Sequence, residues 1–282
     1  MRVWEPFKVV PIRLRGTNKM VNQDNIEKEY GRKQVLRGNS LDTVRGCPLG
    51  ATNEGYGCPW GCYAKEAVLR YHKIFDMPVS MELREDLLRK DLRELEVDWI
   101  RIGVMGEPSI DWPLTLKAAK ICHDEGKRVV IVTRLFTGVS DSILIKLLEI
   151  GATLNITMCA LDSHSLKSVC IDVLRRYRDL GRRAVMRLVT FKFKDERLME
   201  EQRAMLSWSG LVLEQPARLQ RTNPTFRLVV NSSYVPAKGY VSPASESRWL
   251  TAGPLFNPGI PSCFSKCPEC PHKCLSRGGF YE

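Results

Sequence analysis

WIRIGVMGEPSIDWPLTLKAAKICHDEGKRVVIVT, residues 99–133, carries two apolar, β-branched runs on either side of one amphipathic stretch. Trp99–Val104 and Arg128–Thr133 predict strands, and Leu114–Glu125 predicts the helix between them. Gly126 follows that helix directly, where a left-handed C-terminal cap is wanted. The unit therefore reads strand, helix, strand.

The same alternation extends outward in both directions. Downstream, Thr153–Met158 and Arg183–Thr190 predict strands, and Ser142–Ile150, Leu166–Asp179 and Asp195–Ser207 predict helices, with Gly151 and Gly181 in cap positions. Upstream, Leu41–Val44 predicts a short strand, Ala64–Phe75 a helix, and Glu82–Leu95 a helix whose leucines at 83, 87, 88, 92 and 95 share one face. A last strand is expected near Phe226–Val230, making six. Repeated strand–helix order implies an α/β fold with a parallel sheet and right-handed crossovers. No fixed short repeat is present, which excludes solenoids and propellers.

The organisation expected from these patterns has three parts. Residues 1–38 form a basic N-terminal arm (Lys8, Arg13, Arg15, Lys19, Arg32, Lys33, Arg37), 39–253 the α/β domain, and 254–282 a Pro/Gly-rich linker and cysteine-rich tail. A chain of 282 residues with 44% hydrophobic content is ample for a core. It has no run of bilayer-spanning length, and its first residues lack the apolar centre of a signal peptide, so the expected location is the cytoplasm, without a membrane partner. The net charge of +11 favours an anionic partner, be it nucleic acid, a phosphorylated metabolite or an acidic protein surface; a basic, solvated surface is the plain alternative.

Ten cysteines without a secretory signal read as metal sites before disulfides. Cys47, Cys58 and Cys62 lie in one glycine-rich loop, with Gly50, Gly55, Gly57 and Gly61 permitting tight turns and Pro48 and Pro59 stiffening it. Three thiolates leave one iron of a cubane open, whereas a zinc knuckle or three buried thiols would use the same residues structurally. Cys263, Cys267, Cys270 and Cys274 form a second, four-thiol set that suits zinc or a cubane, with His272 a substitute ligand. Cys122 and Cys170 fall in helices and read as core. Along the strand 153–158, Asn155, Thr157 and Cys159 share a polar face opposite Leu154, Ile156 and Met158; Arg101, Gly103 and Met105 are in phase with Glu107.

The phrase Cys58-Pro-Trp-Gly-Cys62-Tyr63-Ala64, with Cys47 upstream and Gly106-Glu107-Pro108 following a strand, resembles the core of the radical S-adenosylmethionine (radical SAM) enzymes. The family's usual Cys-x3-Cys-x2-Cys loop differs from the Cys-x10-Cys-x3-Cys spacing here. The resemblance implies a partial (β/α)6 TIM-like barrel with a small C-terminal metal-binding module. It implies a [4Fe-4S] cluster on Cys47, Cys58 and Cys62 and S-adenosylmethionine (SAM) on its open iron. It further implies that Gly106, Glu107 and Pro108 hold the SAM amino group, and a second [4Fe-4S] cluster, or zinc, on the tail. Thr133, Arg134, Asn155, Thr157 and Arg187 are candidates for the methionine carboxylate and ribose, arginine because its planar fork suits a carboxylate. The implied chemistry is reductive cleavage of SAM to a 5′-deoxyadenosyl radical that abstracts hydrogen from an anionic substrate (nucleic acid, peptide or phosphorylated metabolite), with a one-electron reductant such as ferredoxin or flavodoxin as partner. The competing reading is a zinc-stabilised RNA-binding protein without catalysis.

Overall fold

The computed structural model describes residues 5, 7–14, 16–17, 36–37, 39–48, 58, 62, 64–65, 68, 73–181, 183–216, 219–220, 224–230, 233–235 and 240–242. The tail quartet Cys263, Cys267, Cys270 and Cys274, with His272, lies outside the described residues.

Six strands build the central sheet: β1 (Ser40–Leu41), β2 (Trp99–Ile102), β3 (Arg128–Thr133), β4 (Thr153–Cys159), β5 (Ala184–Thr190) and β6 (Leu211–Pro216). They stand side by side in chain order and every pairing is parallel. A parallel neighbour needs a crossover, and the stretches after β2, β3, β4 and β5 supply one each: α2 (Trp112–Asp124), α3 (Asp141–Glu149), α4 (His164–Asp179) and α5 (Glu196–Leu206). An earlier helix, α1 (Glu85–Arg93), precedes β2. The sheet is open, with β1 at one edge and β6 at the other.

Because the winding never reverses, the helices share one face of the sheet. One continuous core joins Ile100, Ile102, Ile131, Leu154, Ile156, Met186 and Leu188 of the strands to Leu88, Leu92, Ala118, Leu144, Val173 and Met205 of the helices. Burying a leucine such as Leu88 or Leu92 contributes about 2 kcal/mol. The opposite face carries two small apolar clusters, Trp99 with Val130 and Val132, and Val185 with Leu213. Arg101, Thr157 and Arg187 stand on the same face and line a cleft.

Local chemistry sets the helix starts. Asp111 accepts the Leu114 N–H (3.0 Å) ahead of α2, Ser163 accepts Leu166 N–H (3.3 Å) ahead of α4, and Asp195 accepts Arg197 N–H (2.9 Å) ahead of α5. Part of the basic stretch 1–38 joins the core: Ile12 and Leu14 are buried, residues 10–12 pair with Glu82, and Arg13 forks onto buried Asp91 of α1 (2.6 Å twice). Among the described residues no helix is long and apolar enough to cross a membrane.

Two sequence expectations differ from the structure. Phe226–Val230 is not the sixth strand: Pro224–Leu228 is a 3-10 turn, and Val229 makes only an isolated antiparallel bridge with Phe193. The sixth strand is Leu211–Pro216, where Glu214 breaks the apolar run but is itself buried, accepting a hydrogen bond from Thr190 of β5 (2.8 Å). The helix expected over Ala64–Phe75 stops short of Lys73, which bridges to Glu5 instead.

Arg89 and Arg93 of α1 both grip Glu125 at the end of α2, at 2.8–3.0 Å. Arg93, then Arg89, holds that carboxyl down at about 2 from an ordinary 4.5. A depressed carboxylate stabilises the fold fully above its unfolded value, and the contribution fades as pH falls from about 4.5 towards 2. Glu125→Gln should therefore flatten the fall of the thermal midpoint in this acid window and leave its pH profile near neutrality parallel to wild type, measured by circular dichroism melts across the range.

Candidate functional site

The site is built where the turn after β2 meets the segment leading to Cys47. Asp42, directly after Leu41 of β1, accepts the N–H groups of Val104 and Met105 (2.7 Å each), so the chain leaving β2 is drawn over the end of β1. Gly46 and Gly106 then bridge: Gly46 N–H donates to the Met105 carbonyl (3.1 Å) and Glu107 N–H to the Gly46 carbonyl (3.2 Å). Only glycine fits at 106, because a Cβ there would stand 1.9 Å from the Val44 carbonyl oxygen. Gly103 is constrained twice over, by a φ of +93° and by a Cβ position 2.4 Å from the Val132 carbonyl oxygen. Cys47 follows this clamp directly, its N–H donating to the Phe75 carbonyl (2.8 Å).

Glu107 is buried and fully engaged. Its carboxylate accepts the N–H groups of Ser109 and Arg134 (2.9 Å each) and the Thr133 hydroxyl. It thereby ties the β2 turn to the end of β3. Burial pushes its carboxyl up, while Thr133 and the two N–H donors pull the other way. Past β3, Leu135 adopts a left-handed backbone (φ 54°) and Arg134 pairs with buried Asp162, which also accepts the Cys159 N–H (2.7 Å). On the neighbouring strands β4 and β5, Arg187 donates through Nε and Nη2 to the Thr157 hydroxyl (3.1 and 2.6 Å).

These groups line one cleft of about 640 Å³ of empty space, part of it open to solvent. Cys47, Cys58 and Cys62 form one wall; Gly106, Glu107, Thr133 and Arg134 another; Arg101, Thr157 and Arg187 rise from the sheet. Each cysteine is half-buried. The Cys58 thiol itself sits deepest: burial pushes it up to about 12, against the pull of the Arg134 guanidinium. Among the described residues no group of three His, Cys, Asp or Glu is placed to hold a metal ion.

The sequence-predicted residues are thus divided. The three cysteines, Gly106, Glu107, Thr133, Thr157 and Arg187 meet at the cleft. Pro108 is buried behind it, its ring about 3.0 Å from where a Gly103 Cβ would be. Asn155 lies beneath the lining, wholly buried, with neither side-chain polar atom partnered. Cys159 leaves the polar stripe at the end of β4 and packs in the core against the helices. Arg101 and Asp162 were not expected here, although the two-residue phase of Arg101 with Gly103 pointed to the cleft face.

Gly106→Ala should cost about 3 kcal/mol of unfolding free energy, because the new methyl meets backbone that cannot yield. Gly138→Ala, with nothing within 4 Å of its Cβ position, should change stability by no more than about 0.5 kcal/mol. Urea denaturation of both variants reads the contrast. Glu107→Gln places a donor against donors, so a loss of about 1–3 kcal/mol is expected in the same assay. Compared with known proteins, the chain matches no protein-family model and no curated protein at a significant level of similarity.

Proposed function

We propose that the protein is a radical SAM enzyme, in which Cys47, Cys58 and Cys62 hold a [4Fe-4S] cluster with one iron left for SAM. The observation that carries this reading is the meeting of three soft donors with the Gly106-Glu107-Pro108 turn at one cleft, with no fourth cysteine among its described lining residues. A cubane takes its thiolates on separate irons, so its ligands surround a volume; a zinc ion needs them to converge on a point. The glycine at 106 lets bare backbone approach that volume. With winding in one direction and the helices on one face, the sheet is read as a partial (β/α)6 TIM-like barrel whose concave side is the interior.

Bound there, the cluster would supply one electron for the reductive cleavage of SAM, giving methionine and, after hydrogen abstraction from a substrate, 5′-deoxyadenosine. The chain's own groups bind and orient. The Glu107 carboxylate is committed to Ser109, Thr133 and Arg134, so it braces the turn, and recognition of an ammonium falls to the backbone of the 105–107 segment. Thr157 and Arg187 offer a hydroxyl and a guanidinium to the ribose or carboxylate. Arg134, set beside Cys58 and held by Asp162, lends positive charge to the thiol wall. The tail cysteines 263, 267, 270 and 274 would carry a second cluster or zinc; a ferredoxin or flavodoxin would deliver the electron, and the substrate is anionic.

Anaerobic purification and reconstitution should give a coloured protein containing iron and sulfide. With dithionite and SAM it should form 5′-deoxyadenosine, and Cys58→Ala should reduce that product to background while the melting curve stays cooperative. A colourless protein holding zinc alone, with no 5′-deoxyadenosine, would overturn the reading.

A further inference from the structure

The cleft contains a cation that no described residue neutralises. Arg101, on β2, is 7% exposed and lines the cleft, yet it forms no ion pair or hydrogen bond through its side chain among the described residues, and its Nε is buried without an acceptor. The other arginines set against the core are matched: Arg13 forks onto Asp91, and Arg134 pairs with Asp162. Among the described lining residues the only carboxylate is Glu107, and three donors already occupy it.

Beside the helices the indole N–H groups of Trp112 and Trp208 lack partners too, but both are neutral, while Thr190 pairs with Glu214 and Gln202 with both backbone groups of Phe191. Towards the cleft, Arg101 and wholly buried Asn155 both retain unpaired hydrogen-bonding atoms. A buried, unpaired guanidinium is costly, and among the described residues nothing repays it. A bound oxyanion would, since a planar fork of N–H donors matches phosphate or carboxylate.

We propose that Arg101 is the anchor for an oxyanion of the substrate, a phosphate or carboxylate seated in the cleft over β2. The oxyanion site stands on Arg101 alone; that its occupant is a substrate of SAM-dependent chemistry rests on the function proposed above. The same chemistry could come from the carboxylate of SAM itself, and the test separates the two.

The probe is inorganic phosphate, titrated into the full-length, anaerobically prepared protein at constant ionic strength against chloride, and followed by calorimetry and by the thermal midpoint. Wild type should bind phosphate saturably and melt higher with it. Arg101→Met should melt above wild type without phosphate, because the unpaired charge is gone, and should bind phosphate at least about tenfold more weakly. It should still bind radiolabelled SAM within about twofold of wild type. Arg101→Lys, which keeps the charge and loses the fork, should fall between them, and it decides the matter if the methionine variant does not fold. Phosphate binding that is the same in all three proteins overturns the proposal, as does joint loss of phosphate and SAM binding, which would give Arg101 to the cofactor. Arg101-dependent phosphate binding in a protein that forms no cluster and no 5′-deoxyadenosine supports the oxyanion site and overturns the radical chemistry instead.

Discussion

The close approach of two backbone segments at Gly46 and Gly106 is the constraint on which the cleft depends. Strand β1 is only two residues long, and a pair of ladder positions with β2 would hold it weakly. The chain compensates with longer-range ties: Asp42 takes two N–H groups from the turn after β2, and Gly106 lies against the Val44 carbonyl with no room for a side chain. Everything that must face the cleft from two separate loops, Cys47 on one and Glu107 on the other, is positioned by this contact. A side chain at 106 would part the loops.

From that clamp the ordering passes along the sheet by carboxylates. Asp42 joins β1 to the β2 turn, Glu107 joins that turn to the end of β3, and Asp162, past β4, reaches back to Arg134 beyond β3. Each acid sits just past a strand's C-terminal end and accepts N–H groups that a parallel sheet leaves without partners there. The same ends of the strands in β–α folds are where ligands are met. The acids therefore do structural work at the rim, and this explains why the cleft they frame is left with a positive balance.

Much of this was legible in the residues. Strand β3 was readable to the residue because Arg128-Val-Val-Ile-Val-Thr133 is β-branched throughout, and β4 because polar and apolar positions alternate cleanly. Strand β6 was not readable: Glu214 looks like a surface residue until Thr190, twenty-four positions earlier, is seen to satisfy it. Cys159 looked like the end of a polar stripe, but this last residue of β4 is buried in the main core together with Val189, its ladder partner on β5. The three cysteines and Glu107 could be grouped by spacing and order. That the Glu107 carboxylate is spent on protein donors could not, because Ser109 and Arg134 contribute backbone N–H groups, which no sequence pattern marks.

Charge is the remaining link between the two halves of the cleft. A thiol as deep as Cys58, pushed up to about 12 by burial, stays neutral at physiological pH until a metal takes its proton's place. On the proposed reading, three such thiols become thiolates together, and negative charge enters a space whose lining holds Arg134, Arg187 and Arg101 against a single buried carboxylate. Arg134 is already the nearest counterweight, pulling Cys58 down against its burial, and Asp162 keeps it from moving away. Arg101 stands on the far strand of that wall, without such an anchor. A cleft charged in this way holds its thiolates with one arginine and keeps another for whatever anion is brought beside them.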